Sequence, residues 1–228
     1  MPSVVLQAND WAFVFANADY LLGGTVVTVG LTITSILLGF LAGFPAGAIE
    51  VYGDGYLQSA VRTAGVVLRG TPILVIMMLL FFVVSISSSA FVVATVGLGL
   101  RSAAYQSQIF RGALQSVDEG QIEAARSVGM SHRQAIGYVV VPQALRRSVP
   151  GFQNEFTIVL KDTSIAIAIG LSELLTRGQD LFLQGGHSTA TLEVILFISG
   201  IYFVLTFVTN RGLDRLDDIY AIPSGENQ

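Results

Sequence analysis

The sequence predicts an all-α integral membrane protein with about five transmembrane helices, an extracytoplasmic N-terminus and a cytoplasmic C-terminus. Of its 228 residues, 52% are hydrophobic and only 12% are charged, whereas soluble domains carry roughly 25% charged residues. Three long segments, 21–49, 70–100 and 194–210, contain no charged residue. A membrane-spanning helix needs about 20 consecutive apolar residues. A soluble fold would have to bury these segments without any polar face, and the sequence therefore indicates a membrane protein.

Five spans account for the apolar segments and for the breaks between them. The predicted spans are 21–49, 60–84, 89–112, 151–171 and 193–210. The uncharged segment 70–100 is too long for one helix, and its serine-rich stretch Ser85–Ser89 predicts the break between spans two and three.

The spans divide the chain into three parts. Residues 1–20 are predicted to form an extracytoplasmic segment, 21–212 a transmembrane domain and 213–228 a cytoplasmic tail. The first 20 residues contain Asp10 and Asp19 but no lysine or arginine, so the basic region of a cleavable signal peptide is not visible.

The arginine residues orient the chain, because cytoplasmic connections carry an excess of positive charge. They lie near the first connection, between spans three and four, and after span five: Arg62, Arg69, Arg126, Arg133, Arg146, Arg147, Arg211 and Arg215. The connections on the opposite side hold only Arg177. This distribution predicts that the N-terminus is outside and that the whole of 113–150 is cytoplasmic.

The first span carries a stripe of small residues at intervals of four: Ser35, Gly39, Gly43 and Gly47. Such a stripe allows another helix to approach closely. The sequence leaves open whether that helix belongs to the same subunit or to a second copy.

The cytoplasmic segment predicts two short helices joined by a turn. Ser116 and Glu119 have the spacing of a capping box, which predicts a helix that begins near Val117. Gly129 is placed to end it, because glycine accepts the left-handed conformation common at helix ends.

A second capping box, Ser131 with Gln134, predicts a second helix, and Pro142 is expected to end it. The residues alone leave two interpretations open. The pair is either a surface that docks into another protein or an ordinary amphipathic connector.

The chain lacks the residues of several kinds of chemical site. It has no cysteine, which excludes disulfides, thiol catalysis and cysteine metal sites, and its two histidines, His132 and His187, do not make a metal site. Its one lysine, Lys161, is followed by Asp162, so there is no G-x4-G-K-[ST] phosphate loop. We therefore expect neither a catalytic site nor a cofactor in this chain, and the energy source must be a partner.

Charged residues at membrane depth are costly and indicate function. The candidates for a substrate pathway are Arg101, Gln108, Lys161 and Asp162. Together they supply charges of both signs, as a zwitterionic amino acid would require. The alternative is hydrogen bonding between helices, which is favoured for Arg111, Glu155 and Lys161.

The cytoplasmic motif resembles the EAA loop of ATP-binding-cassette (ABC) transporter permeases. It reads Glu123-Ala124-Ala125, three residues, Gly129, nine residues, Val139, one residue and Val141–Pro142. The family pattern has Ile and Leu where this chain has its two valines, which keeps the apolar character. Over about residues 20–212 the chain resembles the polar amino-acid permease subfamily, on these segments: LRGTP (68–72), AAY (103–105), 111–130, PQALR (142–146) and KDTS (161–164).

The resemblance implies a mechanism and a set of partners. In that family the loop forms coupling helices that dock into a separate ATPase subunit, which binds ATP and Mg²⁺. Glu123, Ala124, Ala125 and Gly129 carry over as the coupling residues. Further implied partners are an extracytoplasmic solute-binding protein, a second permease subunit (identical or a sister) and an amino-acid substrate, in a prokaryotic cell membrane. No nucleic acid and no enzymatic activity are expected.

One departure from the family pattern bears on the substrate. The subfamily usually has a glutamate where this chain has Gln108. The loss of that negative charge favours a neutral or acidic amino acid as the substrate over a cationic one.

Two other functions are alternatives to the permease subunit of an importer. A stand-alone secondary transporter or channel would leave the cytoplasmic loop without a purpose. A non-transporting structural subunit would not explain the polar residues in spans three and four.

Overall fold

The computed structural model describes residues 8–183 and 188–220, and every regular element in these ranges is helical. The α-helices are α1 (Ala8–Ala16), α2 (Ala18–Tyr52), α3 (Gly55–Gly70), α4 (Ile73–Met78), α5 (Ala90–Gln115), α6 (Glu119–Ser127), α7 (His132–Ala135), α8 (Val141–Arg147), α9 (Val149–Asp162), α10 (Leu174–Leu183) and α11 (Thr191–Tyr220). Two π-helical turns, Leu79–Val83 and Ile136–Val140, and two 3-10 helices, Thr163–Ile169 and Ser188–Ala190, complete them. The predicted all-α membrane fold is confirmed.

The described helices match the predicted spans unevenly. By length and composition, α2 and the 191–215 part of α11 can each cross a membrane, and α3 with the helix after it makes a third if a bent pair is one span. That pair bends by 102°. Thr71 precedes Pro72 and has the extended conformation (φ −95°, ψ 128°) that a following proline favours. The count of five spans and the orientation of the chain stay predictions.

The break predicted at Ser85–Ser89 is confirmed. The helical backbone ends at Val83 and α5 begins at Ala90, and Ser85 has a φ of 51°. The fourth predicted span is also not uniform, because α9 passes into the 3-10 helix at Thr163. Such a change within a helix often marks a hinge.

The stripe of small residues packs α2 against α5 within one subunit. Ser35, Gly39, Gly43 and Gly47 are all buried. A Cβ atom at Gly43 would lie 2.7 Å from the carbonyl oxygen of Ala103, which is closer than real Cβ atoms come. Of the two open interpretations, the structure shows the packing within a subunit.

A buried carboxylate ties the loop before α10 to two long helices. Glu173 accepts hydrogen bonds from the backbone N–H groups of Leu175 (3.0 Å) and Thr176 (2.8 Å), which begin α10. The hydroxyl groups of Tyr202 on α11 (3.0 Å) and Thr28 on α2 (3.5 Å) also donate to it. Glu173 therefore caps one helix and fixes its position against the others.

The first capping box was predicted at the wrong residues. Asp118, not Ser116, caps α6, and its carboxylate accepts a hydrogen bond of 2.8 Å from the N–H of Gly120. Ser116 instead ends α5, and its hydroxyl donates to the carbonyl of Ala113. The helix α5 continues to Gln115, and Ser116 is the residue that caps its end. Ser116 therefore cannot begin the next helix, and α6 starts at Glu119 rather than near Val117.

The turn and the second capping box are confirmed. Gly129 has a φ of 94°. The N–H of Gly129 bonds to the carbonyl of Arg126 (3.0 Å) and that of Met130 to Ala125 (3.1 Å), which is the Schellman arrangement at a helix end. Ser131 and Gln134 bond to each other's backbone N–H groups and start α7.

The expectation that Pro142 ends the second helix was wrong. The helical backbone continues through it to Arg147. The π-helical turn at 136–140 comes just before Pro142 and places the proline in the first turn of α8. A residue without an N–H is tolerated in the first turn, because the donors there have no partner within the helix.

Candidate functional site

A charged cavity of about 440 Å³ lies between the α3–α4 bend, α5 and the C-terminal end of α9. Its lining residues are Arg69, Gly70, Thr71, Pro72, Ile73, Leu74, Arg101, Tyr105, Asp162 and Ile165. Two cations and one carboxylate therefore meet in one cavity inside the predicted membrane-spanning region.

Arg101 and Asp162 form the ion pair at the centre of this cavity. Nη1 of Arg101 lies 2.5 Å from Oδ2 of Asp162, and the two side chains are 18% and 23% exposed. Arg101 and Tyr105 are four residues apart on α5, which puts them on one face. The Arg101 guanidinium lies 5.0 Å from the centre of the Tyr105 ring, so a cation–π contact supports it. The pair is ordered but can be reached from the cavity.

Arg69 is a cavity residue that sequence reasoning missed. It was used only to orient the chain, whereas the bend at Thr71–Pro72 turns it towards α5. Its Nη1 donates a 2.7 Å hydrogen bond to the carbonyl of Ala104. The signal in the sequence was its position beside Gly70-Thr71-Pro72, because a proline disfavours the continuation of a helix.

Lys161 borders a different cavity from its neighbour Asp162. As adjacent residues of a helix they point about 100° apart. Lys161 lines a cavity of about 290 Å³ with residues of α10 and α11, among them Gln179, Ser199 and Tyr202. Its side chain is exposed and has no hydrogen-bond or ion-pair partner within 8–183 and 188–220. The four predicted pathway residues thus do not converge on one cavity.

Gln108 lies in a third place, against the buried carboxylate of Glu50. Its Nε2 donates to both carboxylate oxygens, at 2.9 and 3.0 Å. The hydroxyl of Ser107 donates at 3.3 Å, and Arg111 forms a 3.7 Å ion pair with the same carboxylate. Gln108 does not line the charged cavity. Glu50 was missed because it is the first charged residue after span one and marked only the end of that span.

The cytoplasmic helix pair presents a surface on α6 and on the turn after it. Glu123 and Ala124 are exposed, whereas Ala125 is buried. Two large apolar side chains also face outwards: Val128 is 76% exposed and Tyr138 is 75% exposed. Exposed apolar groups beside polar ones are typical of a protein–protein interaction site.

The helix pair is attached to the end of α5. An apolar cluster joins Ala113, Leu114 and Val117 to Val140 and Ala144. In addition, the guanidinium of Arg147 donates to the backbone carbonyl of Ser116. A displacement of α6–α8 would therefore be transmitted to α5, the helix that carries Arg101.

No cluster of three or more histidine, aspartate or glutamate side chains suited to a metal ion occurs in the described part of the chain. His187, considered and rejected as a ligand from the sequence, lies outside the described residues.

Comparison with known proteins gives matches along most of the chain. A family model described as "Binding-protein-dependent transport system inner membrane component" matches residues 35–218. The chain is 33% identical over 201 residues to the probable glutamine ABC transporter permease protein GlnP of Bacillus subtilis, covering 87% of this chain and 92% of that protein. It is 32% identical over 214 residues to the glutamine transport system permease protein GlnP of Escherichia coli K12, covering 91% and 96%.

Solved structures also match the fold. A chain from the crystal structure of an amino acid ABC transporter with histidines superposes with a TM-score of 0.79 at 30% identity, covering 90% of this chain and 97% of that one. A chain of the MetNI methionine ABC transporter in an inward-facing conformation gives a TM-score of 0.75 at 21% identity, with 89% and 97% covered. The second likeness concerns the fold alone.

Proposed function

The chain belongs to the family of binding-protein-dependent transport system inner membrane components, and we propose that it is the membrane permease subunit of an ATP-driven importer of polar amino acids. The observation that carries the proposal is the cytoplasmic helix pair hinged at Gly129, whose φ is 94°. It is a rigidly attached docking surface on a chain that has no phosphate loop of its own.

The docking surface consists of Glu123, Ala124, Gly129, Val128 and Tyr138 (the coupling surface). The small side chain of Ala124 lets a partner approach the backbone of α6, and the two apolar side chains supply area to bury. Ala125 is buried, so it contributes to the coupling loop from within rather than as part of the exposed surface. The partner is an ATPase subunit, and this partner binds the ATP and Mg²⁺.

The substrate is bound in the charged cavity. Arg69 suits the α-carboxylate of an amino acid, and Asp162, which Arg101 holds in the empty cavity, suits its α-ammonium group. Lys161 is a later contact on the pathway, in the neighbouring cavity on the other side of the α9 end. The relatives named for glutamine support a polar amino acid as substrate.

A neutral side chain on the substrate fits this set of charges. The cavity holds two arginines and one carboxylate, so a second cation on the substrate would find no free acidic partner there. We place the selection at these three residues. Gln108 is held by Glu50 and contributes to packing between α2 and α5.

The other partners follow from the same mechanism. A solute-binding protein delivers the amino acid to the extracytoplasmic side, and a second permease subunit, identical or a sister, completes the pathway. Closure of the ATPase subunits moves the coupling surface, and the link from Arg147 to Ser116 carries the movement into α5.

Substitution of Gly129 tests the docking. Gly129→Asp should abolish co-purification of the ATPase and ATP-dependent uptake, because it adds a negative charge at the hinge of the coupling surface. Gly129→Asn is the matched control, since asparagine has nearly the same shape and accepts a left-handed backbone, and it should retain binding. Full transport by the aspartate variant would contradict the docking proposal.

A further inference from the structure

Glu155 is a buried carboxylate for which the proposed function has no use. It lies on α9 and is 3% exposed, and within 8–183 and 188–220 its Oε1 has no hydrogen-bond partner. Burying an ionised group without a partner is expensive, and nearly all buried polar atoms in proteins are satisfied. A buried carboxylate oxygen without a partner in the described part of the chain therefore needs a physical reason.

Glu155 and Asp162 lie on the same face of α9. They are seven residues apart, which is nearly two helical turns and about 10 Å along the helix axis. Because Asp162 contacts Arg101 of α5, this face of α9 is the one turned towards α5. Arg101 thus faces a column of two carboxylates, of which it pairs with the outer one, at 2.5 Å.

Arg101 is free to change partners. Asp162 is its one hydrogen-bonded partner within the described ranges 8–183 and 188–220. Its guanidinium rests on the ring of Tyr105, one turn further along α5. A planar guanidinium stacks on an aromatic face without a fixed hydrogen bond, so the ring can support it in more than one position.

We propose that Glu155 is the second partner of Arg101 and receives its guanidinium when the ammonium group of a substrate occupies Asp162. The inference rests on the proposed function, because it needs an amino acid in the charged cavity. An ammonium group at Asp162 competes with Arg101 for the same carboxylate. Transfer to Glu155 gives both Arg101 and Glu155 a partner, and it moves the cation nearly two turns towards the start of α9, which is the predicted cytoplasmic end.

This exchange gives the permease a way to sense its substrate. Arg101 belongs to α5, and the C-terminal end of α5 packs against the coupling loop. The position of Arg101 is therefore linked to the surface that the ATPase contacts. Glu155 acts as a positioning residue: it does not touch the substrate but holds Arg101 in the loaded state.

The test uses the complete complex in proteoliposomes, with this permease, its ATPase and its solute-binding protein, and radiolabelled glutamine as the probe. Glu155→Gln should lower the maximal rate of uptake about tenfold or more, while the glutamine concentration for half-maximal uptake changes less than about twofold. Glutamine stimulation of ATP hydrolysis should fall with the rate, and basal hydrolysis should not change. Glu155→Asp, which restores the carboxylate, should recover part of the rate.

Glu193→Gln is the matched control. Glu193 is also buried, at 1% exposure, and among the described residues its Oε2 likewise has no hydrogen-bond partner, but it lies near the start of α11. The same chemical change there should leave uptake at the wild-type rate. The double variant Arg101→Gln with Glu155→Gln should be no slower than Arg101→Gln alone, because the two residues act through one contact.

Three outcomes would overturn the inference: a wild-type rate for Glu155→Gln, additive losses in the double variant, or failure of Glu155→Gln to assemble. The last would show that the carboxylate holds the fold, whereas removing an unpaired buried charge should not weaken it. If Arg101→Gln and Asp162→Asn slow uptake but Glu155→Gln does not, only the role of Glu155 fails. If the wild-type complex takes up no amino acid, the proposed function fails as well.

Discussion

In the proposed function, Asp162 is the residue on which substrate binding depends most directly. It is the one carboxylate among the residues that line the charged cavity, and it is held by Arg101 at 2.5 Å. Both side chains remain about one-fifth exposed, so a substrate can reach them. This combination of pairing and access distinguishes Asp162 from Glu50 and Glu173, which are buried and saturated by several donors.

Asp162→Asn should reduce uptake about tenfold or more, because the ammonium group of the substrate loses its only charged partner in the cavity. The measurement is ATP-dependent amino-acid uptake by the reconstituted complex. Asp54→Asn is the control, since Asp54 is an exposed carboxylate between α2 and α3 and its side chain caps nothing. Equal uptake by the two variants would show that the charged cavity is not the substrate site.

At the scale of the elements, packing of α2 on α5 sets the frame that holds the cavity. The small residues of α2 face the backbone of α5 so closely that a methyl group at Gly43 would meet a carbonyl oxygen at 2.7 Å. The same two helices carry Glu50 and Gln108, whose hydrogen bonds lock their relative positions. Any side chain added at this contact must push the helices apart.

Gly43→Ala should therefore destabilise the purified protein by about 1–3 kcal/mol, the usual cost of overpacking a core. Thermal unfolding in detergent gives the measurement. Gly30→Ala on the same helix is the matched control, because a methyl group there would have its nearest neighbour at 3.9 Å. Equal melting temperatures for the two variants would mean that the α2–α5 contact is looser than described.

The start of α6 offers a second test at this scale. Asp118→Ala should cost about 1 kcal/mol of helix stability, which is typical for loss of an N-cap, and should speed amide hydrogen exchange in the first turn of α6. Ser116→Ala should have a smaller effect, since the Ser116 hydroxyl bonds within the end of α5. Faster amide exchange in the Ser116 variant than in the Asp118 variant would show that Ser116 caps α6, as the sequence predicted.

The sequence predicted local features well because local chemistry decides them. Gly129 and the Ser131–Gln134 box are confirmed, since a left-handed turn and a reciprocal cap each involve only neighbouring residues. The Ser116 cap was wrong because the choice between Ser116 and Asp118 depends on where α5 ends. The effects of Pro72 and Pro142 on the backbone likewise depend on structure beyond the neighbouring residues.

Pro72 lies at a 102° bend, whereas Pro142 lies inside a continuous helical stretch. The difference arises from the π-helical turn before Pro142, which no sequence signal announced. The charged cavity was beyond prediction for a related reason. Arg69 joins Arg101 and Asp162 only because the bend at Pro72 brings it there.

At the scale of the whole molecule, one helix connects the two proposed functional surfaces. The charged cavity lies beside Arg101, and the coupling surface is attached near Gln115, about 20 Å further along α5. A rigid helix between two sites can convert movement at one into movement at the other. The arrangement suits a permease that a separate subunit drives, and it gives a stand-alone transporter no use for the coupling surface.

The most direct test of this account is uptake of labelled glutamine by proteoliposomes that contain the permease, its ATPase and its solute-binding protein. We expect accumulation that requires ATP on the side of the membrane that carries the coupling surface and the solute-binding protein on the opposite side. It should stop when the ATPase is omitted or when Gly129→Asp replaces the wild-type permease. Uptake by the permease alone, driven by an ion gradient without ATP, would contradict the account and identify a secondary transporter.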